Sequence, residues 1–113
     1  MRIYDLYFSR TIKGRLQPVS ESEWASFRQD VIALNLPDGW TEWDGYGAWL
    51  NPKTHITGGE PSKVLEAAVV DSPDSRAAIS KVRGAYRQRF HQLSVGMTEH
   101  PGCGSFDGND GAP

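Results

Sequence analysis

One cysteine, Cys103, stands in the whole chain of 113 residues. A lone thiol excludes an internal disulfide and a multi-cysteine zinc cage. It suits a reducing compartment, so a cytoplasmic setting is expected. Positive charge is not in surplus: Lys and Arg total 12 against 14 Asp and Glu, a net charge of -2. Strong nucleic-acid binders carry a basic excess, and no nucleic-acid partner is expected. No apolar run approaches the ~18 residues of a membrane helix, so no membrane partner is expected. Asp5, Arg10 and Lys13 interrupt the N-terminal stretch, which therefore lacks the apolar run of a secretory signal. The phosphate-cradling G-x-x-x-x-G-K-[ST] pattern is absent. No Ser-His-Asp or Cys-His unit can be assembled with a sequence reason. His91, His100 and Cys103 match no common zinc spacing, and neither a metal nor a cofactor is expected.

What is present reads as one domain, residues 1–106, followed by a frayed tail at 107–113 rich in Gly and Asp. A chain of 12.5 kDa can bury a single core without staples. Residues 3–11 read as a strand, with Tyr4, Leu6 and Phe8 on one face by period two. Ser20 to Glu23 spells a capping box, followed by Trp24, Phe27 and Val31 on one helical stripe and a stop at Pro37-Asp38-Gly39. The aromatics of 40–49 favour strand, while Gly45 and Gly47 predict a bulge or bend. After a turn at 51–54, a short strand near 55–57 is expected to pair back. Residues 62–70 read as a separate strand, with Leu65, Ala67 and Val69 facing one way and Val64, Glu66, Ala68 and Val70 the other. Ser72 and Pro73 open a second helix, whose stripe is Ile79, Val82, Tyr86 and Phe90. Leu93, Val95 and Met97 alternate as a last strand.

This β-α-β-β-α-β order predicts an α+β fold, a two-layer ferredoxin-like sandwich with four antiparallel strands and two helices on one face. The bare sheet face would carry Tyr7, Val64, Ala68 and Val70. An apolar second face seeks a partner, so a homodimer or larger homo-oligomer is expected, joined sheet to sheet or edge to edge.

Several blocks carry a family resemblance: Leu6-Tyr7-Phe8, Asp44-Gly45-Tyr46-Gly47-Ala48-Trp49, Glu60-Pro61-Ser62-Lys63-Val64-Leu65, and Ala85-Tyr86-Arg87-Gln88-Arg89-Phe90 followed by Ser94-Val95. Together they resemble a family of small bacterial proteins known as domain of unknown function three-five-seven-four. The resemblance runs from Leu6 to Phe106 and implies the same α+β fold; it brings no activity. Ser9 stands where glycine is expected after Tyr-Phe, and Gly58-Gly59 before Glu60 is unusual. Relatives often begin with a secretory or lipoprotein segment, which is not seen here.

Glu60-Pro61-Ser62-Lys63 sits where a loop is expected to enter a strand. Lys63 and Ser62 could hold an anionic group there with Glu60 as acid or base, or the block is a plain strand-entry turn. The 40–49 aromatics offer a platform for a flat ligand, or Trp43 and Trp49 cap the core beneath the helices. Asp44 reads most simply as the start of an Asp-Gly turn. Arg83, Arg87 and Arg89 could clamp an anion, or serve as solvated cations at a helix C-terminus. Arg10 continues the helix-facing side of its strand, where a cation must pair or line a pocket.

The expected role is non-catalytic binding of a small anionic or aromatic molecule, or of a protein partner, as a sequestering or regulatory accessory. Arg10, Trp49, Ser62, Lys63, Tyr86 and Arg87 are the predicted wall of a site at one end of the sheet. The alternative is a small enzyme of the dimeric α+β-barrel kind, with Glu60 or Asp44 moving a proton beside Lys63 or Arg10. An enzyme should show a carboxyl raised above its ordinary range in that cleft; a binder should show the aromatic wall without one.

Overall fold

A computed structural model describes residues 1–105; the predicted tail lies outside the described residues. Strand β1 is Arg2–Ser9, β2 Thr41–Leu50, β3 Thr57–Val69 and β4 Gly96–Pro101. They form one sheet in the order β2-β3-β1-β4, antiparallel throughout. The first helix starts at Glu21–Phe27, continues through a π-helical turn, Arg28–Ile32, and ends with Ala33–Asn35. The second helix is Pro73–Arg89. The chain is therefore an α+β protein with the expected element order.

Both helices begin as their sequences dictate. The Ser20 side chain accepts from the Glu23 N–H at 3.0 Å, and the Glu23 carboxylate accepts from the Ser20 N–H at 2.9 Å. Ser72 accepts from the Ser75 N–H at 3.1 Å, with Pro73 in the first turn. These contacts satisfy donors that a helix start leaves without partners.

The core lies between the helices and one sheet face. Tyr4, Leu6 and Phe8 of β1 and Leu65 and Ala67 of β3 meet Trp24, Phe27 and Ile32 of the first helix and Ile79, Val82 and Tyr86 of the second. At its centre Phe8 packs edge-on against Tyr86, centroids 4.7 Å apart, and against Trp24 at 5.3 Å. Such pairs add about 0.5–1.5 kcal/mol each beyond their burial.

Several local expectations are corrected. Buried Ile32, not Val31, completes the first helical stripe, because the π turn inserts an extra residue per turn before it. No bulge interrupts β2: Gly45 and Gly47 sit in an unbroken ladder opposite Ser62 and Glu60. The separate strands at 55–57 and 62–70 are one strand of 13 residues, running through Gly58, Gly59 and Pro61. Pro61 lies there with its carbonyl accepting from the Arg10 N–H at 3.0 Å, a bond that does not call on the N–H that proline lacks. The last strand begins at Gly96, leaving Val95 buried and Leu93 exposed. Cys103, read as a packing residue, is exposed.

Candidate functional site

Side chains of directly opposed residues in an antiparallel pair share a face. The β2–β3 register therefore decides which candidate residues can meet. Asp44 opposes Lys63 on the helix side, while Gly45 opposes Ser62, Gly47 opposes Glu60 and Trp49 opposes Gly58 on the bare side. Lys63 and Trp49 are thus on opposite faces, and the six-residue wall predicted from the sequence does not assemble. Arg10, Lys63 and Tyr86 lie on the helix side, Ser62 and Trp49 on the bare side, and Arg87 is exposed on the second helix. Trp43 and Trp49, offered as possible core caps, are 46% and 53% exposed on the bare face. The indole that fills the core is Trp24, whose Nε1 donates to Glu42 at 2.7 Å.

On the helix side, Lys63 is the one buried charged residue among those described. Its Nζ donates to Glu21 at 2.9 and 3.0 Å and to Asp44 at 2.5 Å. Burial works against the ammonium, but the Asp44 and Glu21 hydrogen bonds outweigh it and hold its pKa above the ordinary lysine range. The Asp44 carboxyl is correspondingly held low, first by its hydrogen bond to Lys63. Arg10 donates twice to the Val19 carbonyl, at 2.9 and 2.7 Å, and lies 3.3 Å from Glu21. Two cations and two carboxylates thus tie the end of β1, β2, β3 and the first helix together at local neutrality. An incoming anion would have to displace carboxylates already in place. Tyr86 is also engaged: its hydroxyl donates to the Ser9 carbonyl at 2.6 Å, and burial pushes its pKa up. Of the three arginines near the end of the second helix, Arg83 caps the Val95 carbonyl at 2.8 Å and Arg89 reaches Asp30 at 3.3 Å.

The bare face has a different centre. Asp5 of β1 stands directly opposite Glu66 of β3, with Thr98 on the other side of Asp5. Hydrogen bonding to Asp5, reinforced by its charge and partly offset by His100, raises the Glu66 carboxyl above the ordinary range. The adjoining row across the sheet is Trp43, Val64, Tyr7 and Gly96. Tyr7 and Trp43 flank the buried Val64 and are 43% and 46% exposed. They are separated by two strand spacings, roughly 10 Å, with Val64 already covered between them and the Tyr7 hydroxyl 3.3 Å from Thr98 Oγ1. Beside Trp43, the Ser62 and Val64 side chains fill the space above Gly45, where a Cβ would come within 2.9 Å of Ser62 Oγ and 3.0 Å of Val64 Cγ2. The expected apolar face is therefore mixed: two exposed aromatic rings beside a carboxyl pair.

Neither Asp5 nor Glu66 was singled out from the sequence. Their signal is an acid at a bare-face position in each of two strands, with Glu60 a second one in β3; which acid opposes which depends on a register that only the folded sheet supplies. Apart from this face, a cavity of about 490 Å³ opens where Leu36–Gly39, the end of β3 and the start of the second helix meet. None of the predicted site residues lines it.

A four-stranded antiparallel sheet in this order, with both helices on one side, defines the chain as a ferredoxin-like α+β domain. The family described as "Protein of unknown function (DUF3574)" matches residues 3–106, and the chain belongs to that family. No curated protein matches the chain. Among solved structures, a phage SAM lyase in complex with S-methyl-5'-thioadenosine is similar to it, with a TM-score of 0.64 and 10% identity over 88% of this chain and 79% of that one. At that identity the likeness is one of fold. No helix among the described residues is long and apolar enough to cross a membrane.

Proposed function

We propose that the protein binds a small molecule carrying a flat aromatic ring and amino or cationic nitrogen, held on the bare sheet face. The observation that carries this reading is the juxtaposition of the exposed Tyr7 and Trp43 rings with the Asp5–Glu66 carboxyl pair. The ring stacks against the exposed aromatic side chains, and the carboxyls accept hydrogen bonds from its nitrogen substituents. Neutrality around Lys63 and Arg10 favours this chemistry over the anionic ligand expected from sequence. A sequestering or regulatory accessory role in the cytoplasm fits a short chain whose site is a shallow platform.

S-methyl-5'-thioadenosine, the compound in the similar solved structure, is a suitable first probe, with SAM as its cationic counterpart. Saturating ligand at ~100 times its Kd stabilises a folded protein by about 2.7 kcal/mol. A rise of several degrees in Tm is therefore expected, lost in Trp43→Ala and Glu66→Ala and retained in Lys63→Met. Absence of a rise with both compounds and with simple aromatic amines at millimolar concentration overturns the reading.

One observation favours a second reading. The raised Glu66 carboxyl is the type of group the enzyme alternative required, although it stands away from Lys63 and Arg10. In that reading Glu66, rather than Glu60 or Asp44, moves the proton. Incubation of the same two compounds with the protein, followed by chromatography, separates the readings: new products lost in Glu66→Gln support catalysis, and unchanged compounds support binding alone.

A further inference from the structure

Beyond Ser62 the sheet narrows to a ribbon. β1 pairs with β3 only between Ser62 and Val69, so Tyr46–Leu50 and Thr57–Pro61 pair with each other and with no third strand. A two-stranded ribbon is at best marginal in water by itself. This one exposes Tyr46, Trp49, Leu50 and Ile56 by 53–71%. They point to both sides, Trp49 to the bare face and Tyr46 and Leu50 to the other. Glycines press the rings flat: a Cβ at Gly58 would meet the Trp49 ring at 3.0 Å, and one at Gly59 would collide with Tyr46. From Gly45 to Gly59 the one formal charge is Lys53. β2 is also a sheet edge, and this stretch of it carries none of the charges, prolines or bulges that protect natural edges from pairing.

We propose that this ribbon is covered by a second copy of the chain, which adds along the β2 edge. Three features favour that occupant. A partner docked on one face would leave the apolar residues of the other face wet, whereas an added strand supplies neighbours to both faces at once. A ribbon with almost no charge has nothing to offer a charged partner and nothing to repel its own copy. The four side chains expose on the order of 500 Å² per copy, so two copies approach the about 1,000 Å² at which a specific interface becomes stable. The proposal does not depend on the ligand site, whose residues lie at the base of the ribbon and beyond.

Sedimentation of the full chain tests it. The wild type is expected at twice 12.5 kDa or a higher multiple, and a double variant, Tyr46→Lys with Leu50→Lys, at the single-chain mass with unchanged circular dichroism. A monomeric wild type at high micromolar concentration overturns the proposal, as does a folded double variant that keeps the wild-type mass. Should the double variant misfold, Ala48→Cys in a Cys103→Ser background gives an independent reading. A flexible bis-maleimide, whose reach does not depend on the register between copies, should join them through residue 48, while Lys81→Cys on the second helix should give no such product. Failure to cross-link at 48 overturns the proposal.

Discussion

Lys63 shows how little a residue's identity says about its work until its neighbours are known. A lysine beside serine and glycine reads as an anion site; here its ammonium is spent on Glu21 and Asp44. Lys63→Met keeps the buried stem but strips both carboxylates of their donor. It should cost about 2 kcal/mol by urea unfolding at neutral pH, without abolishing binding at the bare face. Tyr86→Phe should cost about 1 kcal/mol through loss of the Ser9 hydrogen bond, again read from urea midpoints. Acid sensitivity has a residue-scale origin too. The Arg15 side chain, followed by the Ser20 N–H, lowers the Glu23 carboxyl from 4.5 to about 2. A carboxyl lowered on folding stabilises the native state above its unfolded pKa. That contribution should fade as pH falls from about 4.5 towards about 2. Glu23→Gln should flatten the fall in urea midpoint over that window while lowering stability at neutral pH.

At the scale of elements, the first helix departs from simple periodicity. The π turn at Arg28–Ile32 rotates the stripe so that Ile32 enters the core and Val31 sits at its margin. Asn35 Nδ2 donates to the Val31 carbonyl at 2.9 Å, giving a partner to a backbone group at the irregular turn. Ile32→Ala should cost about 2–4 kcal/mol and Val31→Ala less than half of that, measured by thermal or urea unfolding. Equal costs would contradict the rotated stripe. The hairpin is the other departure. Gly-Gly and Pro in sequence suggest a break, yet β3 runs straight through them because Tyr46 and Trp49 lie across the space the glycines leave.

For the whole molecule, the two sheet faces divide the labour. One face, with both helices, holds the core and the neutral ionic cluster that locks the first helix to the sheet. The other keeps an acid pair and two aromatics available. Glu66 is raised by Asp5, so the pair gains negative charge as pH rises through the upper carboxylate range. Affinity for SAM, a cation, should therefore strengthen on raising pH from acid towards neutral, while the neutral thioether should change less; titration calorimetry at both ends of that range checks it. A stronger gain for the neutral compound would move the ligand away from the carboxyls.

Local signals in the chain were enough for the helix starts at Ser20 and Ser72, the strands carrying Leu6 and Leu65, and the order of elements, because capping and period-two or period-3.6 patterns are written in neighbouring residues. The blocks from Leu6 to Val95 were likewise enough for the family. Which residues meet was a matter for the tertiary structure. Placing Lys63 opposite Asp44, and Asp5 opposite Glu66, depends on strand register, and a shift of one residue sends a side chain to the opposite face. Register is settled by the sum of contacts across the sheet and core, which no stretch of the sequence contains alone.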